Sequence, residues 1–153
     1  MLIINIEQIS SKLEADIKQT FTDNKEKEIL LVFNSTGGDF KVAESLSRYL
    51  LRLTLDGYKF HTHLVKAESS AAFLFTVVMG WGSLTIDNSA YLLFHDVKIR
   101  GFALTKEYQQ RQEYRNIIIN LIKSKFNLSH QQAREWLIRG KLILPEEITA
   151  RIG

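Results

Sequence analysis

Three short stretches of this chain carry the residue types of a serine acyl-transfer site: Asn34-Ser-Thr-Gly-Gly38, Glu68-Ser-Ser-Ala-Ala72 and Leu92-Leu-Phe-His95. A Gly-Gly turn after an apolar strand offers bare backbone N–H groups to an oxyanion. A serine before small residues starts a helix tightly against that turn, and a histidine ending another apolar strand supplies the base. Ser70 is the expected nucleophile, with Ser69 as the alternative. His95 is the expected base, and the N–H groups of Gly38 and Ala71 are the expected oxyanion donors. Each has a plainer reading: a buried small residue or helix N-cap for Ser70, a structural histidine, an ordinary turn. The third member of a triad has no evident source, because no Asp follows Asp96. Asp96 adjoins His95, but neighbours on an extended chain point to opposite faces. Glu135, Glu146 and Glu147 are the other carboxylates to weigh. Losing the orienting acid can cost ~10⁴ in rate.

The elements that must position these residues alternate between strand and helix over the first two-thirds of the chain, which argues for an α/β layered fold. Leu2 to Ile6 reads as a short strand. Ser11-Lys-Leu-Glu14 reads as a capping box, followed by Leu13, Ile17 and Phe21 at helical spacing. Glu28 to Phe33 is an apolar strand of the kind buried in a parallel sheet. Val42, Leu46, Tyr49, Leu50 and Leu53 mark the inner face of a helix, Tyr58 to Val65 alternates as a strand, and Ala71 to Val78 reads as a buried helix. Leu84 to Ile86 and Tyr91 to Phe94 are short strands. After Gly101, Tyr108, Tyr114, Ile117, Ile118, Leu121, Ile122 and Phe126 share one face of a long helix. Ser129-His-Gln-Gln132 caps another helix, Leu142 to Leu144 is a short apolar piece, and a last helix begins at Glu146.

The chain has 153 residues, 45% hydrophobic and 24% charged, which is one globular domain with room for a core. It has no cysteine, so disulfides and thiolate metal sites are excluded. The N-terminus lacks the pattern of a signal peptide and the longest apolar run, Ala71 to Trp81, is too short to span a bilayer. A cytoplasmic protein without membrane contact is expected. The net charge of +3 is spread along the chain, so no nucleic-acid partner is expected. His61 and His63 face one side of a presumed strand as half a metal site would. With no third ligand nearby they read as surface histidines, and no metal or cofactor is expected.

Taken in order, the three motifs resemble those of the ClpP family, the serine-peptidase branch of the ClpP/crotonase fold. Asn34-Ser-Thr-Gly-Gly38 is similar to the family's Asn-Ser-Pro-Gly-Gly turn, Glu68-Ser-Ser-Ala-Ala72 to its nucleophile step, and Leu92-Leu-Phe-His95 to its strand ending in histidine. The gap from Ser70 to His95 fits the family better than that from Ser69. The resemblance covers nearly the whole chain. It implies a spiral of βαβ units with a helical handle: a core over about 1–101, the handle over about 104–127 and C-terminal helices over about 129–153. It further implies a serine endopeptidase that cleaves peptide bonds through an acyl-enzyme, with Ser70, His95, Gly38 and Ala71 in the roles given above. Assembly into homo-oligomeric, stacked rings is implied by it too, as is docking of an AAA+ unfoldase; the apolar stripe on the handle would otherwise lie in water. Gly140 or Lys141 stands where the family has its catalytic Asp, and Lys66 or Val65 where it has a glycine. These departures, with Glu68, frame a second expectation, a non-catalytic ClpP-like subunit kept for assembly or regulation. A third is an acyl-CoA enzyme of the crotonase branch.

Overall fold

Three long apolar strands carry the sheet: Leu2–Ile6 (β1), Glu28–Ser35 (β2) and Lys59–Glu68 (β3). In β2, residues Ile29, Leu31 and Phe33 are fully buried, the alternation expected of a strand in the middle of the core. The computed structural model describes residues 1–96 and 105–151. Three shorter strands complete the sheet: Leu84–Ile86 (β4), Leu92–Leu93 (β5) and Leu142–Ile143 (β6). Their order is β1-β2-β3-β5-β6, with β4 pairing β3 beside that path. All pairs are parallel except β5 with β6. The chain is therefore mixed α/β with a mostly parallel sheet, as its alternating pattern predicts. The boundary expected near residues 101–104 and the end of the last helix at 152–153 lie outside the described residues.

Among the described residues six helices pack around the sheet: Ser11–Asp23 (α1), Phe40–Leu55 (α2), Ser70–Val78 (α3), Thr105–Lys125 (α4), His130–Ile138 (α5) and Pro145–Arg151 (α6). The cap of α1 is Ser10, whose Oγ accepts from the Leu13 N–H at 3.2 Å, one residue before the expected box. The expected box on α5 is present, with Ser129 and Gln132 bonding each other's backbone. Helix α3 is buried at nearly every position, so its all-round apolar composition is that of a core helix.

Two irregularities at the end of β3 place the residues beyond it. The strand carries an extra residue between Leu64 and Lys66, because Phe33 pairs Leu64 while Asn34 pairs Lys66. This bulge shifts the buried phase from Phe60, Thr62 and Leu64 to Ala67, and re-aims the end of the strand. The end of β3 also changes partner from β4 to β5, with Ala67 against Leu92 and Glu68 against Leu93.

Helix α4 is less exposed than its sequence suggests. Ile118, Ile119, Ile122 and Phe126 are buried within the chain, against α3 and α5. The expected apolar stripe is thus largely covered internally; Tyr108 and Ile117 remain exposed. Phe126 is the anchor of this layer, with its ring 6.4 Å from Phe94 and 5.4 Å from Trp136. Among the described residues no helix is long and apolar enough to cross a membrane. Truncating the anchor, Phe126→Ala, is expected to cost about 3–5 kcal/mol in a urea titration, since it empties a fully buried site between α4, α5 and the end of β5.

Candidate active site

The Gly-Gly turn owes its shape to what lies against it on both sides. Gly37 and Gly38 have φ of 105° and 154°. A Cβ on Gly37 would lie 2.8 Å from the Glu68 carbonyl oxygen and 2.9 Å from Ser69 Cβ; one on Gly38 would lie 2.1 Å from the Ile9 carbonyl oxygen. Neither position has room for a side chain, so the turn lies directly on the serine step. Ile9 fastens its other edge: the Ile9 N–H donates to the Gly37 carbonyl at 3.0 Å, and the Asp39 N–H to the Ile9 carbonyl at 2.9 Å. The Gly37 N–H is taken by Ser35 Oγ at 3.0 Å. Among the described residues, the Gly38 N–H has no acceptor.

The two serines of the step are in different states. Ser70 is the first residue of α3, 4% exposed, and its Oγ is buried without a hydrogen-bond partner. Ser69 is half-buried and has φ 55° and ψ −123°, one of two non-glycine residues with positive φ among those described. It makes no side-chain cap bond to the helix. A serine held in this region between a strand and a helix costs on the order of 1–3 kcal/mol. A sharp strand-to-helix turn is also the setting in which a nucleophile elbow presents a hydroxyl at the top of a parallel sheet. The residue after such a nucleophile supplies an oxyanion N–H, which here is Ser70. Its amide and that of Ala71, at the start of α3, have no partner within the helix. Beside the expected pairing of Ser70 with the Ala71 amide, the turn offers a second, Ser69 with the Ser70 amide.

The sheet register brings the base to this step. The Ser69 N–H donates to the Leu93 carbonyl at 2.8 Å, continuing the β3–β5 ladder. Ser69 and Ser70 therefore run alongside Phe94 and His95. His95 is exposed, and it lines a cleft of about 640 Å³ together with Gly38, Ser69 and Ser70. Phe40, Tyr114 and Ile118 form the apolar wall of this cleft, with the Phe40 ring 4.6 Å from Tyr114 and 4.8 Å from Phe73. Burial raises the Tyr114 phenol above its ordinary value, with the Glu44 charge adding to it.

Across the sheet the same logic explains the missing acid. The β5–β6 pairing sets Leu92 against Ile143 and Leu93 against Leu142; continued two residues beyond the pairs, that register would set His95 against Gly140. Gly140 ends α5 with φ 62°, and the Lys141 N–H reaches back to the Trp136 carbonyl at 3.3 Å. This is a Schellman stop, which favours glycine. Asp39, which lines the cleft, accepts from the Lys41 N–H at 2.8 Å. Asp96 is bonded by Arg111 and Arg115; Glu147 pairs Lys141; Glu135 and Glu146 are exposed. Among the described residues no carboxylate bonds the His95 ring. Glu68 turns to the Tyr91 hydroxyl at 3.1 Å, and Lys66 lines a separate polar cleft of about 700 Å³ beyond the Gly-Gly turn.

A second Ser-His-Glu constellation lies at the opposite end of the strands. Ser83 Oγ is 2.8 Å from His61 Nδ1, and His61 Nε2 is 2.6 Å from Glu28 Oε2. The Ser83 backbone N–H also donates to Nδ1, at 3.0 Å. That donor occupies the lone pair a base would need, so the group pins β2, β3 and β4 together rather than activating a hydroxyl. His63 bonds Asp87 at 2.6 Å, and the described residues hold no cluster of three metal-ligating side chains.

Sequence reasoning located the Gly-Gly turn, the serine step and His95, which the structure brings to one cleft. It missed Ile9, the φ of Ser69 and the arginines on Asp96. Compared with known proteins, the chain matches no protein-family model and no curated protein. Gly38→Ala is expected to destabilise the fold by more than about 1 kcal/mol in urea, because the Ile9 backbone must move away. Gly57→Ala, which meets nothing within 4 Å at φ 90°, is expected to cost only its backbone strain.

Proposed function

We propose that the chain is a serine hydrolase of the ClpP type that acts by acyl transfer at Ser69. The observation that carries this reading is the positive-φ turn at Ser69, seated on Gly37 and opening into the cleft that holds His95. In the proposed reaction Ser69 Oγ attacks a carbonyl carbon while its proton passes to His95. The oxygen gains charge between the Gly38 and Ser70 N–H groups, each such donor worth roughly 3 kcal/mol in the transition state. His95 then gives its proton to the leaving group, and water attacks the acyl-enzyme by the same route. The wall of Phe40, Tyr114 and Ile118 suits an apolar side chain beside the scissile bond. A peptide or protein substrate and a spiral ClpP/crotonase arrangement belong to the same likeness, as do ring assembly and an unfoldase partner. The burial of most of the α4 stripe within the chain lessens the case for assembly through that face.

A second reading is favoured by one observation, the glycine opposite His95: a ClpP-like subunit without catalysis. Steady-state hydrolysis of a p-nitrophenyl ester separates the two. Turnover is expected to fall by more than a hundredfold in Ser69→Ala and His95→Ala, and by less than tenfold in Ser70→Ala, which keeps its backbone N–H. Gly140→Asp is expected to raise turnover at least tenfold, since the site has space, with the nearest atom to a new Cβ 3.9 Å away, and Asp tolerates positive φ better than most residues. Absence of turnover in the wild type and in Gly140→Asp would select the non-catalytic subunit.

A further inference from the structure

We infer that Asp96 is a positioning residue: clamped by Arg111 and Arg115 of α4, it fixes the end of β5 so that His95 faces Ser69. The inference rests on the Ser69–His95 reading and adds the element that holds the base in place. His95 lacks the usual means of orientation, since its cross-strand position is Gly140 and no carboxylate among the described residues bonds its ring. Its strand is also short. β5 has two paired residues on each side, Leu92 and Leu93, and His95 lies two positions beyond them.

One residue further on, the chain is anchored again. Arg115 Nε donates to Asp96 Oδ1 at 3.1 Å, and Arg115 Nη2 to Oδ2. Arg111 Nη2 donates to the same Oδ2 at 3.2 Å. The two arginines are four apart on α4 and so share a face. Arg115 grips as a planar fork, which fixes direction as well as distance. The clamp is sheltered, with the side chains of Asp96 and Arg115 18% and 15% exposed. Burial works against the Asp96 charge, but the bonds and charges of Arg115 and Arg111 outweigh it and hold the carboxyl below its ordinary range. Asp96 thus ties the peptide beside His95 to a helix whose inner face is locked into the core by Ile118, Ile119 and Ile122. An imidazole misplaced by about 1 Å can lose 10²-fold in rate, so this anchor bears directly on turnover.

The test is steady-state kinetics of the full chain on a p-nitrophenyl ester, for the wild type, Asp96→Asn, Arg115→Met and the double variant, with thermal melting read on each. The expected result is a fall in kcat of at least tenfold in each single variant, with KM changed less than threefold. The double variant should be no slower than the slower single one, because both changes remove one clamp. Arg115→Lys, which keeps the charge and loses the fork, is the variant read if another fails to fold, and is expected to lose kcat in the same way. Folded single variants with wild-type kcat, or with kcat and KM worsening by similar factors, would overturn the clamp and leave the Ser69 reading standing. A wild type with no Ser69-dependent turnover would overturn that reading and the clamp with it.

Discussion

The parallel register between the end of β3 and β5 is the constraint on which the candidate site depends. Ala67 against Leu92 and Glu68 against Leu93 leave the serine step beside the Phe94–His95 end of the next strand, and the Ser69 N–H to Leu93 carbonyl bond extends the ladder to the step itself. Neighbouring strands lie about 4.8 Å apart, so two residues at adjacent strand ends meet with no loop needed to carry either one. The bulge at Val65 is what allows this, since it resets the phase of β3 just before the step. The antiparallel β6 extends the line by one more strand, and Gly140, just before it, lies against Phe94 and Leu93. The serine step, His95 and Gly140 thus lie at or just beyond the ends of three neighbouring strands.

Local chemistry then decides what each place can do. The two glycines let the turn lie on Ser69 from one side and on Ile9 from the other, which leaves the Gly38 amide without an acceptor among the described residues. The strain at Ser69 persists because α3 is buried in the core and cannot relax. At Gly140 the left-handed backbone that ends α5 favours glycine. The ion pairs of Asp96 with Arg111 and Arg115 tie the chain beside His95 to α4.

Much of this was legible in the sequence, and the rest was hidden for physical reasons. The β2 run, the apolar α3 and the Ser129 capping box all show local periodicity or cap chemistry, and each element stands where its residues predict. The motifs of the site were equally plain as residue types. The choice within Ser69-Ser70 was not, because two adjacent serines are chemically identical until a backbone dihedral distinguishes them, and spacing to His95 counts residues through an intervening turn of arbitrary length. Ile9 carries no pattern because it is a single bridge to Gly38. Arg111 and Arg115 display their i, i+4 spacing openly, but their partner Asp96 is 15 and 19 residues away and is brought to them by the fold. The α4 stripe was legible as an apolar face, whereas what covers it depends on α3 and α5, which no local pattern specifies.

The most direct measurement is to treat the folded wild-type chain with a fluorophosphonate and locate the adduct by tandem mass spectrometry. A single adduct on Ser69, absent from chain unfolded in urea, is the result predicted for an activated serine in this cleft. An adduct on Ser70, or none on the folded chain, would contradict it.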